Sequence, residues 1–196
     1  MLERTSHPDF DVVLVDNGST DPKALELLTR LAQDERVQVV TAPGPFNFAA
    51  LCNRGIRHSH GDTVVLLNND TEVICPRWME EMVMYAQQDR VGCVGAKLLY
   101  PDNTIQHAGI GFGFRTLAAH MHKNFPVGHP GYMGRLSYAQ DVYAVTAACL
   151  MVRKDVYEQV DGLDESFAVA FNDVDFCVRV REAGYTNVFT PFAQLY

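Results

Sequence analysis

Asp11-Val12-Val13-Leu14-Val15-Asp16-Asn17-Gly18-Ser19-Thr20-Asp21-Pro22 is the stretch on which the fold class turns. A short, unbroken apolar run such as Val12–Val15 reads as a strand buried on both faces, as in a parallel sheet. The polar run behind it ends the strand. Asp21 followed by Pro22 supplies a helix N-cap and a first-turn residue, and Leu25, Leu28 and Leu31 continue at helical spacing. Strand passes directly into helix.

The pattern then repeats. Val37–Val40 is a second strand, Thr41–Phe46 a Pro/Gly-rich loop, and Asn47–His60 a helical segment. Asp62–Leu67 is a third strand that ends in Asn68-Asn69-Asp70. Pro76–Gln88 is a helix with Trp78, Met82 and Tyr85 on one side. Strand and helix alternating three times imply right-handed crossovers and a sheet covered on both faces, an α/β architecture.

Beyond this point Val91–Tyr100 reads as a further strand. Pro101–Asp141 is rich in Gly, His and aromatics and has weak periodicity, so it reads as a long functional loop. Val142–Val152 returns to a buried strand. Asn172–Ala183 is a helix closed by Gly184, with Asn172 as its N-cap, and Asn187–Thr190 is a last short strand.

Composition narrows the function classes. The chain has 196 residues, 47% apolar and 20% charged, the balance of a soluble globular protein. Its net charge of −8 has the wrong sign for a nucleic-acid backbone binder. A phosphorylated small molecule stays open, because a divalent cation inverts the local field. The five cysteines, Cys52, Cys75, Cys93, Cys149 and Cys177, are widely spaced with no CxxC pair, which indicates reduced thiols rather than a disulfide framework or a zinc site. No apolar run is long enough for a membrane span, and nothing near Met1 resembles a signal peptide. Cytoplasmic placement is expected, free or peripheral at the inner face of the membrane.

Three acidic clusters carry the candidate chemistry. Ligands of open α/β sheets bind beyond the carboxyl ends of the strands, where Asp16-Asn17 and Asn68-Asn69-Asp70 both fall. Each alone also fits simple turn chemistry. Asp70 is suited to a hard cation that takes its other ligands from phosphates and water. Asn172-Asp173-Val174-Asp175 opens a helix, where carboxylates are favoured, and an Asp facing a cleft there can act as a general base. His58 and His60 sit at a helix end, where a cation is favourable. His120, His122 and His129 lie in the irregular segment without a complete zinc ligand set. His107 is a candidate to line the cleft. Gly109-Ile110-Gly111-Phe112-Gly113 neither follows the first strand nor opens a helix, so it is no dinucleotide fingerprint. Walker A, nucleophile-elbow and kinase signatures are absent.

Six stretches occur in order: Val15–Asp21, Leu66–Glu72, Gln106–Gly109, Thr146–Arg153, Gly162–Glu165 and Phe171–Arg179. Together they resemble the family 2 glycosyltransferases, especially the bacterial rhamnosyltransferase-like branch. The resemblance implies a GT-A fold (the nucleotide-diphospho-sugar transferase fold, Rossmann-like), with a mixed, mostly parallel sheet flanked by helices. It implies a single domain over 1–196, with the family's first strand and C-terminal histidine region expected outside these residues. It further implies an inverting transfer of sugar from a UDP-, GDP- or dTDP-sugar to a saccharide or lipid-linked saccharide hydroxyl, in cell-surface polysaccharide or O-antigen assembly. Asp16, Asn17, Ser19 and Asn69 match nucleotide-side positions. Asp70 matches the residue for Mn²⁺ or Mg²⁺, and Asp173 the catalytic base. Thr146, Ala147, Ala148, His107 and Asn172 match the sugar and acceptor side.

Elementary chemistry agrees. A nucleoside diphosphate leaves more readily with a cation on it, and one displacement assisted by one base inverts the sugar without the second carboxylate of a retaining glycosidase. Two other readings stand beside this one. The first is a non-catalytic nucleotide-sugar-binding or scaffold module of the same fold. The second is a sugar nucleotidylyltransferase, which calls for a Gly-rich, Arg-bearing loop after the first strand.

Overall fold

The Val12–Asp16 run forms β1, which pairs in parallel with β2 (Val37–Thr41) through the crossover helix α1 (Pro22–Leu31). The computed structural model describes residues 1–113 and 117–196. Asp21 caps α1 as expected, its side chain accepting from the N–H groups of Lys23 and Ala24. β1 is only half-buried along its whole length. Its described pairing is to β2 alone, so one edge stays open despite the apolar sequence. Helix α2 (Phe48–His58), capped by the Asn47 side chain, covers one face, and Gly55 lets it lie close to Val15.

The main sheet has six strands. They are β3 (Thr63–Leu67), β4 (Val91–Leu99), β5 (Ile105–His107), β8 (Gln140–Val142), β9 (Cys149–Arg153) and β10 (Thr186–Leu195). The order is β3-β9-β4-β10-β8, with β5 also on β4. β4 and β10 pair in parallel, whereas β9 lies antiparallel between β3 and β4. β3, β4 and β10 therefore share one direction, and β5, β8 and β9 run against it. The sheet is mixed, as expected, but antiparallel pairings outnumber the parallel one.

Three boundaries differ from the sequence expectation. The Val142–Val152 run breaks into the end of β8, a turn, and β9. Gly95 explains the break: a Cβ there would lie 2.5 Å from the Val145 side chain, so the bare glycine admits Val145 and turns the chain inward. The last strand extends well past Thr190. The 101–141 segment is not one irregular loop. Besides β5 it holds the hairpin β6 (Ile110–Phe112) and β7 (Ala118–His120), and backbone bonds between Ile105 and Phe125 and between Val127 and Asn103 fold it on itself. Phe114, Arg115 and Thr116 lie outside the described residues. Lys97 on β4, buried and with its pKa lowered by that burial, donates to the Val127 carbonyl at 3.1 Å and ties the segment to the sheet.

Apolar side chains alternate along β4 and β9, and each face of the sheet gains a core. Val94, Leu98 and Met151 pack with Trp78 and Met82 of α3 (Trp78–Ala86). Cys93, Leu150 and Val152 pack with Ile56 of α2, Tyr157 of α4 (Lys154–Gln159) and Phe176 of α5 (Asn172–Glu182). Helices thus cover both faces. The five cysteines are all free. No helix among the described residues is long and apolar enough to cross a membrane.

Candidate active site

β3 ends in a tight turn. Thr71 donates to the Asn68 carbonyl through both its N–H and its hydroxyl, at 3.3 and 2.7 Å. The turn leaves Asn69 and Asp70 exposed at its tip. The Asn68 N–H donates to the Ala148 carbonyl at 3.0 Å, fastening this tip to the segment that leads into β9.

Asp173 reaches the same segment from the other side. It lies in the first turn of α5, whose N-terminus favours an anion. The N-cap of α5 is Phe171 in the left-handed conformation (φ 65°), not Asn172. The reason is packing: Asn172 is buried and its amide donates to the Phe167 carbonyl at 3.2 Å, so its side chain is unavailable to cap. Asp173 Oδ2 accepts the Ala147 N–H at 3.1 Å, and Oδ1 accepts the Val174 N–H at 2.8 Å. Asn68 and Asp173 therefore attach to adjacent residues, Ala148 and Ala147. Thr146 is half-buried beside them and accepts the Ala148 N–H through its hydroxyl.

The nucleotide-side candidates form a separate group. Asn17 donates to the carbonyls of Ala42 (2.7 Å) and Gly44 (3.3 Å), joining the end of β1 to the Pro/Gly-rich loop. Asp16 accepts the Ser19 hydroxyl at 2.6 Å and the Ser19 N–H at 3.0 Å. These bonds hold its carboxyl below the usual range, the hydroxyl contributing most. No described hydrogen bond joins Asp16, Asn17 or Ser19 to Asp70 or Asp173.

His107 is completely buried and does not face solvent. Its Nδ1 lies 2.8 Å from Nδ1 of His120, which is exposed in front of it. The sequence offers His120 only as a metal ligand; the twelve residues between the two histidines give no sign of the pairing. Nor does it single out Asn187, a fully buried amide bonded to Cys93, Tyr143 and Cys177. A lone Asn between Thr186 and Val188 was the one signal available.

Two cavities stand out, and neither is lined by Asp16, Asp70 or Asp173. The larger, about 450 Å³, lies among Asn53, Leu163, Asp164, Glu165 and Arg179. Asp16 and Asn17 instead sit partly exposed at the end of β1, Asp70 exposed just past β3, and Asp173 partly exposed in the first turn of α5. Among the described residues no three His, Cys, Asp or Glu side chains converge to hold a metal. Asp70 nevertheless fits one. Its carboxylate is exposed and makes no described hydrogen bond or ion pair, and a hard cation needs only one or two such ligands when phosphates and water supply the rest.

The model for "Glycosyl transferase family 2" matches residues 1–161. The chain belongs to glycosyltransferase family 2. It is 48% identical to the protein y4gI of Sinorhizobium fredii and 37% identical to the O-antigen biosynthesis protein RfbC of Myxococcus xanthus, matched over 100% of this chain in both cases. It spans 22% and 15% of the length of those two relatives. The N-acetylglucosaminyl-diphospho-decaprenol L-rhamnosyltransferase of Mycobacterium tuberculosis is 22% identical over 99% of the chain and 68% of that relative. The branch expected from the sequence is thus represented among its relatives.

Two solved structures share the fold of this family 2 chain. GalNAc-T7, solved with UDP, GalNAc and Mn²⁺, gives a TM-score of 0.75 at 14% identity, covering 94% of this chain and 36% of that one. The mannosyltransferase PcManGT of Pyrobaculum calidifontis, solved with GDP-Man and Mn²⁺, gives 0.69 at 16%, covering 99% and 50%. The fold is GT-A.

Proposed function

We propose that this chain carries out an inverting transfer of a sugar from a nucleoside-diphosphate sugar to a hydroxyl of a saccharide or lipid-linked saccharide, in the assembly of a cell-surface polysaccharide. The observation that carries the reading is the shared anchoring of the β3 tip and of Asp173 on Ala147 and Ala148. A leaving-group residue and a base need to flank one reacting carbon, and this segment fastens both.

Asp173 takes the proton of the attacking hydroxyl. Its two N–H donors hold the carboxylate in one orientation. Asp70 anchors Mn²⁺ or Mg²⁺, which when bound offsets charge on the departing diphosphate. Asn69, Asp16, Asn17 and Ser19 serve the nucleotide side, and Thr146–Ala148 the sugar side. The relatives and the solved neighbours support this assignment through the chemistry their names record, O-antigen biosynthesis in one and UDP or GDP-Man with Mn²⁺ in the others.

The test is a thermal-shift panel of UDP-, GDP- and dTDP-sugars with and without Mn²⁺ on the full chain, followed by transfer assays on the responsive donor. A metal-dependent shift with one nucleotide and turnover that Asp173→Asn removes is the expected result. Binding without turnover in the unmodified protein would mean a binding module instead.

A further inference from the structure

We propose that His107 is a positioning residue that fixes the tautomer of His120, so that His120 presents a neutral Nε2–H donor to an oxygen of the saccharide acceptor beside Asp173. The inference rests on the transfer reading above and adds a specificity-determining pair to it.

The proton positions follow from the donors. A backbone N–H can only donate, so an atom that receives one is an acceptor. The N–H groups of Gly109 and Thr146 both meet His107 Nε2, at 3.2 and 3.4 Å. Nε2 is therefore bare, and the single proton of the neutral ring is on Nδ1. His107 Nδ1 lies 2.8 Å from His120 Nδ1. His107 donates, His120 accepts there, and the His120 proton is left on Nε2. The rings meet edge-on at 84°, centroids 5.0 Å apart, which suits one N–H pointed at the lone pair of the other.

The surroundings reinforce the neutral state. Complete burial holds His107 well below the ordinary imidazole range, and the neighbouring His120 acts in the same direction. Burial also lowers His120; the Asp173 carboxylate from α5 opposes this, and Lys123 adds to it. His120 is thus within electrostatic reach of the proposed base. A neutral N–H donor there holds a hydroxyl or ring oxygen without taking the proton that Asp173 must receive. Thr146, on the segment that carries Asp173's partner Ala147, supplies one of the donors that set the relay.

The first test reads the protons directly. Long-range ¹H–¹⁵N correlation on histidine-labelled full chain at pH 7, with His107→Asn and His120→Gln for assignment, is expected to show His107 with hydrogen on Nδ1 and His120 with hydrogen on Nε2. The opposite tautomer at His120, or a charged ring at either position, overturns the proposal whatever the protein's activity. The second test is kinetic. His107→Asn keeps an N–H where Nδ1 stood, and His107→Leu removes it. His107→Leu is expected to lower kcat about tenfold or more with the KM for the nucleotide-sugar unchanged. It is also expected to move the acid limb of the kcat profile to higher pH, while His107→Asn restores both. Equal losses in the two variants overturn the relay. Absence of transfer in the unmodified protein would instead sink the transfer reading, and the tautomer result would still decide this one.

Discussion

Asp173 Oδ2 and the Ala147 backbone N–H are joined at 3.1 Å across 26 residues of sequence. The bond fixes the first turn of α5 against the segment entering β9. Substituting Asp173 by Asn keeps an acceptor for the Ala147 N–H, removes the basicity and turns the oxygen that accepts the Val174 N–H into an amide NH₂. Transfer is therefore expected to fall about 10²–10⁴-fold, with nucleotide affinity unchanged and a small loss of thermal stability from the Val174 bond. Transfer assays beside calorimetry check this, and turnover at the original rate would take Asp173 out of the chemistry.

Asp70 stands at the tip of the Asn68–Thr71 turn, and the bonds that hold the turn come from Thr71 and Ala148. Its side chain therefore contributes little to the fold. Asp70→Ala is expected to leave the melting temperature unchanged and to abolish the part of UDP or GDP affinity that depends on Mn²⁺. Titration calorimetry with and without the ion measures it; an unaltered Mn²⁺ dependence would place the cation elsewhere.

The histidine pair makes stability fall with acid in a defined window. Both rings have their pKa values lowered in the folded state, chiefly by desolvation, whereas an unfolded histidine binds its proton near pH 6.5. Their contribution is complete above about pH 6.5 and is lost as the pH drops below it, because the unfolded chain then binds more protons. Asp16, Asp34, Asp102 and Asp164 are lowered carboxylates and act only in a separate range, below about pH 4. Melting temperatures followed from pH 8 to pH 5 should decline below pH 6.5, and His107→Asn should flatten part of that decline, His122, also lowered by burial, contributing the rest in the same window. A flat profile in the unmodified chain would contradict the lowered pKa values of the pair.

The first half of the fold could be read because each decision there is local. Val12–Val15, the Asp21-Pro22 cap and the leucines of α1 specify strand, stop and helix within twenty residues, and Asn68-Asn69-Asp70 marks a strand end in the same way. The second half depends on contacts that sequence spacing does not record. The Val142–Val152 run is apolar throughout, so its periodicity hides a turn that exists only because Gly95, on another strand, leaves room for Val145. Asn172 has the composition of an N-cap, yet a carbonyl five residues earlier takes its amide and Phe171 becomes the cap. The acids were visible as residue types at strand and helix ends. The attachment of the Asn68 backbone and of Asp173 to one segment, and the histidine pair behind it, needed the tertiary hydrogen bonds.

Asn187 tests whether that segment is held from below as firmly as the contacts indicate. It is fully buried on β10, its Oδ1 accepting the Cys93 N–H at 3.1 Å and its Nδ2 donating to the Tyr143 and Cys177 carbonyls at 2.9 Å each. One side chain thus ties β4, the start of the inward turn and the middle of α5. Asn187→Ala would leave the buried Cys93 N–H without its partner and take one donor from each of the Tyr143 and Cys177 carbonyls. At about 1–3 kcal/mol for a buried group left unsatisfied, a loss of about 2 kcal/mol or more is expected from urea midpoints, with the slope unchanged. Asn187→Asp keeps the acceptor for Cys93 but turns the two donors into a carboxylate facing carbonyls, so it should be at least as damaging. Because Tyr143 and Cys177 flank Ala147 and Asp173, the alanine variant that remains folded should also lose turnover beyond its fraction unfolded. A loss under about 1 kcal/mol, with full activity, would show that packing of Val145 and Phe176 alone holds the segment.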